Sequence, residues 1–281
     1  MTQHTQQLFT GERALFGAQS LEISHSVFFD GESPLKESTN IHLKHDIFKW
    51  KYPLWYCKHI RSSHLTLTED ARSGIWYTKD ITIADSLIQA PKTFRRSEGI
   101  QLTNVELPNA IETLWHCKNI KMVDVSVHGD YFGMNCENIE AEGLSLSGNY
   151  AFDGAKDIYL SNVTLLSKDA FWNCENVTVE NSTIIGEYLG WNSKSITFIN
   201  CTIESSQGMC YMENVKLINC TVIHTDLAFE YSTVEVKTNS IIESIKNPIH
   251  GVVEAEGINE VIFDDPEIHS ERTVITIKAS E

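Results

Sequence analysis

The 281-residue chain predicts an all-β fold, a single-stranded right-handed parallel β-helix, on three observations. An aliphatic residue recurs at Leu21, Ile41, Ile60, Ile81, Ile100, Ile120, Ile139, Ile158, Val177, Ile196, Val215 and Val234, with later steps of about nineteen residues, the size of period that marks a solenoid. Four positions after each anchor stands a turn-forming residue. Between anchors the apolar residues alternate with period two and show no helical spacing. A hexapeptide helix needs a six-residue subperiod, and a leucine-rich repeat needs LxxLxLxxN plus a helical segment, so both fit worse. About 11–12 coils are expected, in one domain without a linker.

Taken in order, residues 1–17 are expected to be an N-terminal cap, with Leu8, Phe9, Ala14, Leu15 and Phe16 laid over the first coil, because an open solenoid end exposes a strand edge. Residues 18–245 hold the repeat. The anchor and the residue two places on (Leu160, Val179, Phe198, Leu217) form interior rows of a first strand. Position +4 reads His25, His45, His64, Asp85, Asn104, Asp124, Gly143, Asn162, Asn181, Asn200, Asn219, Thr238, a column dominated by residues that tolerate a left-handed backbone and stack as a ladder. A second strand follows, with Leu146, Leu165, Ile184 and Ile203 inward. Gly129, Gly148, Ser167 and Gly186 then turn the chain, and a third strand is expected to return to the next anchor. Residues 246–281 are read as C-terminal capping strands, or a dimerisation element, from Val252-Val253, Val261-Ile262-Phe263 and Thr273–Ile277.

Other columns carry their own logic. Lys118, Glu137, Lys156, Glu175, Lys194 and Glu213 alternate in sign, which avoids like-charge stacking between coils roughly 4.8 Å apart. Four of the seven cysteines (Cys57, Cys117, Cys136, Cys174) share one file of small residues, and Cys201 and Cys220 share another, so buried reduced thiols are expected. With an odd count, no CxxC motif, no N-terminal targeting signal and no membrane span, the chain reads as cytoplasmic. A net charge of −16 argues against nucleic acid and anionic membranes as partners.

Phe9-Thr10-Gly11-Glu12-Arg13-Ala14-Leu15-Phe16, with the phrases Trp115-His116-Cys117-Lys118-Asn119-Ile120 and Trp172-Asn173-Cys174-Glu175-Asn176-Val177, resembles a bacterial family of unknown function within the pectin-lyase-like superfamily. The resemblance covers nearly the whole repeat and implies the fold. Known enzymes of that superfamily act on acidic polysaccharides through a calcium site with an Arg base or through Asp acids and bases. This chain departs from both patterns: it lacks Gly-His-Gly, Arg-Ile-Lys and a coil-borne Asn-x-Asp with an Asp-Asp pair, since Asp264-Asp265 lies beyond the repeat. No catalytic residue is carried over by resemblance.

Two local groups point to chemistry. Five of the six tryptophans fall in one column, Trp55, Trp76, Trp115, Trp172 and Trp191, interrupted by Arg95 and Asp153. Arg95 and Asp153 argue that this column faces outward, whereas strand parity with the cysteine file argues inward. An outward stripe suits saccharide stacking, self-association or cover by a loop. Beside it Asp130, Asp153, Asp169 and Glu187 are candidate catalytic acids and bases, with Tyr131, Tyr150, Trp172, Tyr188 and Trp191 as candidate substrate-binding residues. An acidic solvated turn is the plainer reading of the same carboxylates. His25, His45 and His64 are expected to serve the turn and not a metal, and no cofactor is implied. The chain thus reads as binding or modifying a saccharide, as a hydrolase or lyase if it is an enzyme; the alternative is an interaction or homo-oligomeric assembly protein using the same face.

Overall fold

In register, the aliphatic anchors stack coil upon coil. In the computed structural model, which describes residues 1–278, Ile41 pairs with Ile60 and Ile60 with Ile81, and further along Ile158 pairs with Val177 and Val177 with Ile196, all in parallel. Each of these side chains is 3 % exposed or less. Burying one Ile or Val contributes roughly 1.5–3 kcal/mol, so a one-residue slip that turned a whole row to water is strongly disfavoured. The chain divides into two compact units, Met1–Ser145 and Leu146–Glu281. Both are parallel β-solenoids, with about 15 turns in all. The helices among the described residues are single 3₁₀ turns, Glu69–Ala71 and Ser270–Arg272, and no helix is long and apolar enough to cross a membrane.

The corner after the first strand is a left-handed ladder. From His25 (φ 51°) through Asp85 (50°) and Asn104 (51°) in the first unit, and from Asn162 (54°) through Asn219 (53°) in the second, these positions have positive φ; Thr238 does not, because the register shifts there and it pairs with Cys220. The amides link the rungs: Asn200 donates to Asn181 at 3.1 Å and Asn219 to Asn200 at 2.8 Å. Gly186 serves the next bend, where a Cβ would lie 2.0 Å from the Ser167 carbonyl oxygen, so only glycine allows the coils to meet there.

Three expectations need correction. The third side of the coil is not a strand. In the coil Asp169–Val177, Asp169 (φ 57°), Phe171 (58°) and Asn173 (55°) are all left-handed, an alternation no β-strand permits. Its amides still bond to adjacent coils, as Asp169 N does to Glu187 O at 2.9 Å and Phe171 N to Ala151 O at 2.9 Å.

The N-terminal segment is a coil and not a cap. Thr2–Thr5 pairs in parallel with Leu21–Ser24, Leu8-Phe9 pairs with Val27-Phe28, and Phe9, Phe28 and Phe48 stack at 4.7 and 4.2 Å. Thr2 takes the anchor position, which hid this coil from an aliphatic period. The C-terminal strands are likewise coils: His250–Ala255 lies parallel to Thr233–Thr238, and Thr273–Ile277 to His250–Ala255. Gly251 and Thr273 stand there in place of aliphatic anchors, which explains why more turns are present than the period counted.

Candidate functional site

The tryptophan column faces outward. The position before it (Leu54, Phe94, Leu114, Phe152, Phe171, Met209) is at most 1 % exposed, whereas Trp55, Trp76, Trp115, Trp172 and Trp191 are half-buried at the surface. Left-handed residues break strand parity, and so the cysteine file and the tryptophan file do not share a face.

In the first unit the column is closed on itself. Trp55 and Trp76 stack at 5.0 Å and 7°, and the Arg95 guanidinium lies 4.7 Å from Trp76 and 4.6 Å from Trp115. Each indole N–H donates to a carbonyl of the next coil: Trp55 to Ser73 at 2.6 Å, Trp76 to Lys92 at 2.8 Å and Trp115 to Tyr131 at 2.7 Å. Ring faces and donors are both used by the fold, so this ladder is a structural seam. Asp130 and Tyr131 are exposed members of this first unit, and their carbonyls receive the Glu112 amide and the Trp115 indole.

The second unit brings together the other candidates. Trp172 and Trp191 meet edge-on at 6.1 Å and 63°, Tyr150 lies 6.4 Å from Trp172, and Tyr188 sits edge-on to Trp191 at 5.3 Å. Edge-on contacts leave more of an aromatic face to a ligand than parallel stacking does. Beside these rings Asp169 is 2 % exposed and not open to solvent as an exposed acidic turn would be, and its carboxylate accepts the Tyr150 hydroxyl. Burial raises the Asp169 pKa, with the negative charges of Glu187 and Asp153 adding to the rise; Lys168 and Tyr150 oppose it. Asp153 accepts Asn173 Nδ2 at 3.1 Å, while Lys168 pairs with Glu187 at 3.3 Å and lies 5.0 Å from the Tyr188 ring. The arrangement is a carboxyl held toward its protonated form, flanked by two further carboxylates and tryptophan.

Sequence reasoning missed the column next to the tryptophans. Tyr56, Tyr77, His116, Asn173, Asn192 and Tyr211 are left-handed at the same place in successive coils, and that mixture of Tyr, Asn and His was the available signal. Tyr211 and Tyr231 extend the aromatic track, at 5.0 Å from Trp191 and 5.4 Å from one another.

His25, His45 and His64 stack at 4.7 and 4.3 Å as turn residues. Desolvation and the two neighbouring imidazoles lower the His45 pKa. Among the described residues no three His, Cys, Asp or Glu side chains group to hold a metal ion. All seven cysteines are free and buried, and burial pushes Cys57 and Cys210 up to about 12, which makes them poor nucleophiles.

A family model described as "Protein of unknown function (DUF3737)" matches residues 2–276. No curated protein matches the chain. Among solved structures, the surface adhesin PfbA of Streptococcus pneumoniae is 10 % identical, with 79 % of this chain and 69 % of that chain covered at a TM-score of 0.35. A double mutant of the periplasmic alginate epimerase AlgG is 9 % identical over 98 % and 77 % of the two chains, with a TM-score of 0.31. The A-module of the Azotobacter vinelandii mannuronan C-5 epimerase AlgE4 is 10 % identical over 98 % and 87 %, with a TM-score of 0.28.

Proposed function

The chain belongs to the DUF3737 family, and we propose that it binds a saccharide, and acts on it by acid/base chemistry, at the Tyr150, Asp153, Asp169, Trp172, Glu187, Tyr188 and Trp191 face of its second unit. The observation that carries this reading is Asp169, buried to 2 % exposure with a raised pKa beneath the Tyr150 hydroxyl and next to two further carboxylates and Trp172. A carboxyl whose surroundings favour its protonated form suits a general acid, and a neighbouring carboxylate supplies the base or nucleophile. Aromatic faces half-open to solvent suit the apolar faces of sugar rings. We place the protein in the cytosol, where its seven free thiols stay reduced.

A glycan array with purified protein, followed by turnover assays on any hit, tests the proposal. Asp169→Asn is expected to abolish turnover while Trp172→Ala weakens binding. Absence of any glycan bound by the wild type, together with a dimer in sedimentation that Trp172→Ser and Trp191→Ser dissociate, would instead establish the assembly reading.

A further inference from the structure

The aromatic track of the second unit does not stop at Trp191. Trp172, Trp191, Tyr211 and Tyr231 follow one another at 6.1, 5.0 and 5.4 Å, a progression similar to the advance per residue of an extended sugar chain. At its far end lies a groove of about 240 Å³, lined by Tyr211, Tyr231, Asn192, Lys194, Glu213 and Thr233. Its rim carries hydrogen-bonding groups whose partners leave capacity to spare. Asn192 donates Nδ2 to Asn173 at 2.7 Å and keeps its carbonyl oxygen, while Thr233 Oγ1 accepts the Asn214 amide at 2.7 Å and keeps its hydroxyl proton. Tyr231 is held in place by its hydroxyl, which donates to Asp265 at 2.7 Å.

The charges select among sugars. Lys168, Lys194 and Lys246, the lysines along this track, are paired with Glu187, Glu213 and Glu230 at 3.3, 3.4 and 3.1 Å. Around them the unit holds 8 Lys and Arg against 20 Asp and Glu. A polyanion would meet a negative field with its cations already engaged. An uncharged chain meets aromatic faces and open hydrogen-bonding groups.

We propose that the Tyr211–Tyr231 groove is a distal subsite for an extended, uncharged oligosaccharide that lies along the aromatic track, one sugar per ring, with its other end at Trp172. The assignment rests on the saccharide reading of the Trp172 face and adds the length and charge of its ligand. Calorimetric titration with uncharged β-1,4-linked dimers and tetramers of glucose, mannose and N-acetylglucosamine, and with tetragalacturonate, tests it.

One of the uncharged tetramers is expected to bind more tightly than its dimer. Tyr211→Ala is expected to weaken that tetramer about tenfold, the size of one lost ring contact, and to leave the dimer, which the two tryptophans hold, unchanged. Tyr211→Phe, which keeps the ring, should bind as the wild type does, and circular dichroism confirms that both variants fold. Equal loss for dimer and tetramer, or no loss, overturns the distal subsite while the saccharide reading stands. Tighter binding of tetragalacturonate overturns the charge assignment alone. Heat from none of the probes, with Trp172→Ala indistinguishable from the wild type, overturns both.

Discussion

Asn181 holds its corner for two separable reasons: its φ of 51° is one that Asn tolerates, and its Oδ1 accepts Asn200 Nδ2 at 3.1 Å. Asn181→Val forces a β-branched residue into the left-handed region and removes a rung, so a loss of about 1–3 kcal/mol is expected in urea unfolding. Asp169 makes a different demand. Its pKa is raised by burial, so between its unfolded and folded values the native state binds more protons than the unfolded one. Its stabilising contribution is therefore present at low pH and lost as pH rises through the folded value. Asp169→Asn, which cannot ionise, should gain stability relative to the wild type as pH climbs through that window. Parallel melting curves from pH 4 upward measure it, and a difference that stays flat with pH would remove the buried-acid description.

At the scale of the element, the first strand and its corner were legible and the third side was not. A period of two with β-branched residues is a local pattern, and the rows it placed inside are inside, as Ile158, Leu160, Val177 and Val179 show. The third side alternates left-handed and right-handed residues, and Phe152, Phe171 and Met209 hold φ values of 64°, 58° and 59° that propensity alone would deny them. Their side chains reach the core at no more than 1 % exposure, and the burial of bulky apolar groups outweighs a backbone cost of about 1–2 kcal/mol each. The alternating charge column was read correctly, with Lys118, Lys156 and Lys194 pairing with Glu137, Glu175 and Glu213 at 2.5, 2.8 and 3.4 Å. Lys194→Glu places a third carboxylate between Glu175 and Glu213. It should lower the melting temperature at low ionic strength and much less in molar salt, since these are exposed pairs.

For the whole molecule, the parallel stack buries all seven thiols, and titration of unfolded, unreduced protein should find seven, with slow reaction in the native state; five or fewer would contradict both the free thiols and the cytosolic assignment. Candidate residues separated by about one coil in sequence were identifiable as neighbours because the repeat itself maps sequence offset onto adjacency. Thus Tyr150 meets Asp169, and Lys168 meets Glu187. Solvent access did not follow from that map. Tyr150, Asp169 and Tyr188 stand in one column with φ of 57°, 57° and 58°, yet Asp169 is buried and the two tyrosines are half-exposed, because the adjacent coils set bulky rings above and below a short side chain. The period, the interior rows, the asparagine corner and the charge pairing are written in the amino-acid order, since each depends on residues a fixed offset apart. That the end segments are coils, that the tryptophans face outward, and that Asp169 meets the Tyr150 hydroxyl emerges in the folded chain alone. Those outcomes depend on backbone handedness and on packing summed over several coils, where no single offset carries the information.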